Sequence, residues 1–570
     1  MMAEPSAPQP PSAADLFDKA VSLLTQGRAN EALWAASQAV LLRDDTDTRL
    51  LFVQCVRSAD RLPAVPEFGQ LLIRALREAW ARPVYLTGPA IALITNVPPV
   101  AAAIRAAMGA WPRRLTPQET GEAVGVLAQD ELLRALLDLA VVNHPGLERL
   151  LTSVRAILLD AAAHARSEVA KEMIGFASSL ARQCFNNEYV FDVSDTERQT
   201  LAWLRASVRT ALAGRSPVLA IHLIALGSYA PLSSLERDSA LLERRWLKPL
   251  AALIMEQVRE PQIEAKLRAG LPRLTEIADP VSVEVRQQYE DNPYPRWVSV
   301  APTPPEDSVL AHLRAMFPNG PLQDVSEPET LDILVAGCGT GQQPIGTAQR
   351  FPRARVLAID LSLASLAYAK RKSDTAGVAI EYGQADILEL DFDRRFAIVE
   401  SSGVLHHLAD PMRGWASLVK LVRPGGFMRI GLYSELGRSN VIALRNLIAE
   451  RGFKATPDDI RRARQEMISG QASRFASILH SPDFFSTSAC RDLLFHVQEH
   501  RLTLPQIGAF LSEHNLRLLG FELDAPTVAS YRAAFPDDAT LTDLAHWHRF
   551  ETANPDTFRG MYNFWAWKAR

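Results

Sequence analysis

Leu331 to Phe351 read LDILVAGCGTGQQPIGTAQRF. The run to Ala336 is apolar apart from Asp332, which predicts a short strand buried on both faces. Gly337, Gly339 and Gly341 follow at alternate positions, with Cys338 and Thr340 between them. Glycines at this spacing let the backbone bend sharply and approach a ligand closely. QQPIGTAQRF then predicts a helix. A strand, a glycine turn and a helix in this order begin a parallel sheet of alternating strands and helices.

The alternation continues downstream. ARVLAIDLS predicts a second strand ending at Asp360, and SLASLAYAKRKSD a helix capped by Ser362. IEYGQADI predicts a third strand and turn, and RFAIVESSGVLHHL a fourth strand and loop. MRGWASLVKLV predicts a helix stopped by Pro424, Gly425 and Gly426, and FMRIGLYSE a fifth strand. LRLLGFEL and GMYNFWAWK supply the last two strands, the closing one antiparallel. Asp360 stands nineteen residues after Gly341 at the end of the second strand, where a carboxylate can accept ribose hydroxyls. The dinucleotide fingerprint places its last glycine three residues after the second. Here it comes two after, so a nicotinamide cofactor is disfavoured.

Five stretches, VAGCGTG, AIDLS, GQADI, SSGVLHHLADP and LVRPGG, resemble class I S-adenosylmethionine-dependent methyltransferases. The resemblance implies a doubly wound, Rossmann-like, mostly parallel seven-stranded sheet over 326–570, with a helical cap inserted at about 436–516. It implies that the turn of Gly337, Cys338, Gly339 and Gly341 lies against the methionine part of the cofactor. Asp360 would hold the ribose, Leu361 would pack on the adenine, and Ala385 and Asp386 would reach its edge. Ser402 and Gly403 would line the floor. The cofactor supplies an activated methyl group, and the protein aligns the acceptor with it.

A neutral hydroxyl or an ammonium acceptor also needs a base. His406, His407 and Tyr433 are the candidates, with Glu435 beside them; each also has a plain structural reading. HVQEH, from His496 to His500, matches a zinc-peptidase pattern and on a helix would put both histidines on one face. No third ligand follows, so no metal is expected. His496, Glu499 and His500 are instead candidates for a hydrogen-bonded wall of the acceptor pocket, or for a satisfied structural cluster.

Upstream, QQYEDNPYPRWVSV spans Gln287 to Val300. Prolines 293 and 295 restrict the backbone to extended geometry and present their aromatic neighbours at low entropic cost. Residues 281–325 are read as an aromatic lid over the cofactor, with Tyr289, Tyr294, Arg296 and Trp297 as candidate acceptor contacts. An inert linker is the competing reading.

Residues 13–280 read as an all-α domain. Ala20, Ala32, Ala35 and Ala39 suit a close helix pair turning at Gly27, and resemble a tetratricopeptide unit without its aromatic positions. QCFNNEYVF, QYEDNPYPRW, DLLFHVQEHRLTLPQI and NPDTFRGMYNFW extend the resemblance to bacterial methyltransferases with a tetratricopeptide-like N-terminal region. Residues 1–12, rich in Pro, Ala and Ser, read as a disordered tail rather than a signal peptide.

The chain has 570 residues, 48% hydrophobic and 22% charged, with a net charge of −4. That length buries a large core, and the charge gives no nucleic-acid footprint. Four widely spaced cysteines suit a reducing compartment, so a cytoplasmic location is expected. Pro83 to Ile104 is uncharged and as long as a membrane span, but Gly88, Pro89, Asn96, Pro98 and Pro99 interrupt it. No membrane partner is expected. The acceptor is unidentified; a protein or peptide recruited by the helical domain is the class considered. The alternative is a helical scaffold whose sheet binds S-adenosylmethionine without turnover.

Overall fold

The computed structural model describes residues 11–63, 65–167, 169–214, 216–235, 238–471 and 475–569. Residues 1–10 of the expected tail lie outside it; Ser12 caps the first helix, accepting from the Asp15 amide. The chain forms two compact units. One comprises residues to Arg259 with Trp297–Pro302 and His480–Ser486; the other comprises Glu260–Arg296, Thr303–Leu479 and Thr487–Arg570.

In the second unit, seven strands form one sheet: β1 (Asp332–Ala336), β2 (Arg355–Asp360), β3 (Glu381–Gln384), β4 (Phe396–Ser402), β5 (Val422–Leu432), β6 (Leu516–Phe521) and β7 (Tyr562–Lys568). Their order is β3-β2-β1-β4-β5-β7-β6, with β7 antiparallel to both neighbours and the other pairings parallel. Strand order reverses between β1 and β4, which opens a crevice at their carboxyl ends. Both faces are covered. Leu334, Ile359, Val399, Met428 and Phe564 pack with Trp415 and Phe510 on one side; Ile333, Val335, Ala358, Ile398 and Phe427 pack with Leu313 and Leu366 on the other. Two-sided burial explains why these strands are nearly continuous apolar runs.

Two expectations need correction here. Pro424, Gly425 and Gly426 do not merely stop a helix: the helix ends at Leu421, and β5 starts at Val422 and runs through them, with a register shift opposite Phe396–Ile398. The helical pattern also stops before 280. A helix ends at Gly270, and Leu271–Thr275 lies along the outer edge of β3. Gln384 N–H donates to the Pro272 carbonyl, and Leu274 N–H to the Gln384 carbonyl, both at 2.8 Å. A helix, Pro280–Asp291, follows, so the aromatic stretch leaves the helix only after Asp291, and it bends at Asn292, Tyr294 and Pro295 rather than running extended. Between β5 and β6 the insertion holds helices Ser439–Glu450, Pro457–Glu466, Ala476–Leu479, Thr487–Phe495 and Leu504–Glu513.

The first unit is helical. Helices Ala13–Thr25 and Ala29–Leu42 pack through Ala20, Ala32, Ala35 and Ala39, all fully buried, and turn at Gly27 with φ +75°. The uncharged run forms two helices, Val84–Thr95 and Pro98–Ala110, bent by 98°. Among the described residues no single helix is long and apolar enough to cross a membrane. NNEY closes the helix Lys171–Asn186, with Glu188 and Tyr189 in the left-handed region at φ +56° and +59°. Arg155, fully buried, lies 4.0 Å from the Tyr229 ring centroid and 3.6 Å from Glu197, which also accepts from Tyr229 at 2.6 Å. This ties the helices Pro145–His164 and Asp195–Ala213 to the turn that follows Ala220–Gly227.

Candidate active site

The glycine turn is held by the strand beside it. Gly337 and Cys338 N–H both donate to the Ile359 carbonyl, at 2.8 and 3.0 Å. Asp360 then ties the end of β2 to the turn: Oδ2 accepts from Gly339 N–H at 2.8 Å and Oδ1 from Ser362 N–H at 2.9 Å. Burial pushes its carboxyl above the usual range, and these two amides oppose the shift. Each oxygen keeps acceptor capacity for a ribose hydroxyl. Asp360 therefore shapes the cradle, a role the sequence reading did not assign it.

Gly337 and Gly339 are required by space as well as by backbone. At Gly337, φ +76°, a Cβ would stand 2.3 Å from a Val404 methyl; at Gly339, φ +51°, it would stand 2.7 Å from the Tyr294 carbonyl. Gly339→Ala is expected to cost about 1–2 kcal/mol for the left-handed backbone alone. It should also lift Tyr294 and Pro295 from the turn. A thermal melt with limited proteolysis mapped to residues 289–296 checks both; an unchanged cleavage rate there would show that no such contact exists.

The edge expected to meet the adenine is equally constructed. Ala385 N–H donates to the Asp360 carbonyl at 3.0 Å, Asp386 N–H to Thr275 Oγ1 at 2.8 Å, and Gln384 Nε2 to the Leu361 carbonyl at 2.8 Å. Asp386 is fully buried; Oδ1 accepts from Leu388 N–H at 3.0 Å, and the Ser282 hydroxyl lies beside the carboxylate. A buried carboxylate at this position has acceptor capacity for an exocyclic amine. At the floor, Ser402 Oγ is 3.1 Å from Asn563 Oδ1, and Gly403, φ +78°, donates to the Gly431 carbonyl at 3.2 Å.

The aromatic stretch folds onto this cradle. The Tyr289 carbonyl accepts from Ser362 Oγ at 3.0 Å, Glu290 accepts from Leu363 N–H at 2.6 Å, and the Pro295 carbonyl accepts from Thr340 Oγ1. The Arg296 guanidinium lies 6.0 Å from the Tyr368 ring centroid. Trp297 is buried and belongs to the helical unit, so the structure does not group it with these residues.

At the carboxyl ends of β4 and β5 the remaining candidates meet. Tyr433 stacks on His406 with centroids 3.7 Å apart, His406 stands 4.4 Å from His407, and His407 stacks on His496 at 3.6 Å. His496 and His500 do not share a helical face: the helix ends at Phe495, and 496–502 is not helical. Backbone bonds draw it there, from His500 N–H to the His406 carbonyl at 2.7 Å and from Leu502 N–H to the Tyr433 carbonyl at 2.9 Å. Glu499 is turned toward arginines, not toward the histidines' ring nitrogens. Its Oε2 accepts from Arg438 at 2.6 Å and Arg445 at 2.9 Å. His500 Nε2 lies 2.8 Å from Gln498 Nε2. Asp492, Arg438 and Arg445 complete the cluster; the sequence reading missed all three.

Backbone partners assign the ring tautomers. Tyr433 N–H donates to His406 Nδ1 at 3.3 Å, so neutral His406 carries its proton on Nε2, which is buried without a partner. Gln498 N–H donates to His496 Nδ1 at 3.1 Å, so His496 Nε2–H donates to Tyr289 Oη at 3.2 Å, and Tyr289 donates to Asp492 at 2.6 Å. His407 is the reverse: Nδ1–H donates to the Gln498 carbonyl at 2.7 Å, and Nε2 is bare. Burial lowers all three histidines below the usual imidazole range, His496 to about 2. His407, Asp492 and His496 place ligand atoms within 4.8 Å of one another, a spacing a metal would accept. The tautomers oppose that use, because neutral His496 has no free lone pair.

Residues 333–426 match the methyltransferase domain family. An uncharacterised Synechococcus protein is 33% identical over 178 residues, 30% of this chain and 42% of its own length. The trans-aconitate 2-methyltransferase of Deinococcus radiodurans is 36% identical over 118 residues, 21% of this chain and 41% of its own. The chain thus spans about two fifths of the length of these curated relatives. PKMT2 from Rickettsia typhi, solved in complex with AdoHcy, aligns at 16% identity with a TM-score of 0.34, over 45% of this chain and 51% of its own. The sheet unit contains a methyltransferase domain, and the cofactor of that domain is S-adenosylmethionine.

Proposed function

We propose that the whole chain is an S-adenosylmethionine-dependent methyltransferase acting on a nucleophile seated at the carboxyl ends of β4 and β5. The cofactor, when bound, supplies an activated methyl group. The observation that carries the reading is the glycine turn fastened to Asp360, with a bare imidazole nitrogen in the same unit. His407 Nε2 takes the acceptor's proton, and Asp492 stabilises the imidazolium that forms. The segment 289–295 covers the turn and excludes water. The helical unit, with its tetratricopeptide-like first pair, recruits a protein or peptide acceptor in the cytoplasm.

The test uses the full chain. S-adenosylmethionine is titrated calorimetrically, and S-adenosylhomocysteine release is followed in fractionated extract with a labelled methyl donor. Label in the polypeptide fraction is expected. Label confined to small molecules would remove the recruitment role, and absence of cofactor binding would remove the enzyme.

A further inference from the structure

Glu499 is a carboxylate with too many cations around it. Its side chain is 1% exposed. Oε2 takes Arg438 Nη2 and Arg445 Nη1, and Arg501 Nη1 stands 3.5 Å from Oε1. Arg445 Nη2 donates to the His496 carbonyl at 2.6 Å. The Arg438 side chain is 5% exposed; its guanidinium lies 3.8 Å from the Tyr433 ring centroid, and its buried Nε has no acceptor.

Arginine does not shed its proton. Among the described residues facing this cluster, His406 and His496 are neutral because each accepts a backbone N–H at Nδ1; His407 is an anion in neither of its forms, and Tyr289 and Tyr433 are phenols. Three arginines against Glu499 leave two positive charges. Asp492 is the next acid, and its hydroxyl partner is Tyr289; even ionised, it leaves one. Arg501 is a third exposed and solvated, which concentrates the deficit on Arg438 and Arg445. A buried charge without a partner is costly, and a planar guanidinium pairs best with an oxyanion.

We propose that the methyl acceptor carries an oxyanion group, a carboxylate or phosphate distinct from the methylated atom, and that Arg438 and Arg445 hold it beside Tyr433. This rests on the methyl-transfer reading and specifies the acceptor's chemistry. The anion orients the acceptor, and His407 acts on its nucleophile. Arg438 is thus a positioning residue.

The experiment is calorimetry on the full chain with S-adenosylhomocysteine present, titrating succinate, inorganic phosphate and an oligoglutamate peptide in turn. At least one probe is expected to bind saturably, more weakly at higher salt. Which one binds identifies the source: a small carboxylate, a phosphate or an acidic polypeptide. Arg438→Met should weaken that binding at least about tenfold through the lost charged hydrogen bond. Its affinity for S-adenosylhomocysteine should not change. If Arg438→Met melts early, Arg445→Gln takes its place in the same comparison. Wild-type protein that binds S-adenosylhomocysteine but none of the three probes would overturn the proposal, as would unaltered probe binding in a folded variant. Failure to bind S-adenosylhomocysteine would instead overturn the underlying reading.

Discussion

Asp360→Ala is expected to weaken S-adenosylmethionine binding by about 1–3 kcal/mol, through loss of charged hydrogen bonds. The residue has two jobs: toward a ligand it offers acceptor lone pairs, and toward its own chain it accepts from Gly339 and Ser362. Alanine leaves both amides without their acceptor, so part of the loss appears as a lower melting temperature. Asp360→Asn separates the two. Its amide oxygen can accept one of the N–H groups, while its NH₂ faces the other, donor to donor. The turn is then distorted with little change in volume. Calorimetry with S-adenosylhomocysteine, beside thermal melts of both variants, makes the comparison. A folded Asp360→Ala protein with wild-type affinity would remove this residue from the cofactor site.

The sheet was readable because its strands are buried on both faces, and such strands write themselves as runs like DILVA and VLAID. The glycine turn was readable because Gly337 and Gly339 have no alternative: the carbonyl and methyl groups facing them leave no room for a side chain. Leu271–Thr275 was hidden because its place beside β3 depends on backbone hydrogen bonds, which any residue except proline can donate. His496 to His500 misled for a related reason. The pattern has helical spacing, but bonds to His406 and Tyr433 outweigh that local tendency. Asp492 and Tyr289 are 203 residues apart and meet only in the fold. Arg438 and Arg445 were legible in principle. They are seven residues apart, Arg438 at the N-cap and Arg445 within the helix Ser439–Glu450, and a pair of arginines at that spacing marks a charged face.

The choice between His406 and His407 lay wholly outside the sequence, since it turns on which ring nitrogen carries the proton. His407→Asn is expected to lower kcat by about 10²–10⁴-fold, the usual contribution of a general base. Asparagine is the informative replacement, because its amide NH₂ can still donate to the Gln498 carbonyl while the bare nitrogen is gone. Melting temperature and S-adenosylhomocysteine affinity should therefore stay near wild type. The pH profile adds a readout that a structural role would not move. A base works in its deprotonated form, and burial holds His407 below the ordinary imidazole value near 6.5. Wild-type kcat should thus be level above about pH 6.5 and fall only on further acidification. The same sign governs stability: buried neutral histidines bind protons more readily when unfolded, so their contribution is lost as pH drops below that value. An acidic limb present in wild type and missing in His407→Asn would assign the base. A limb centred above pH 7, or a kcat within about threefold of wild type, would pass the role to another group.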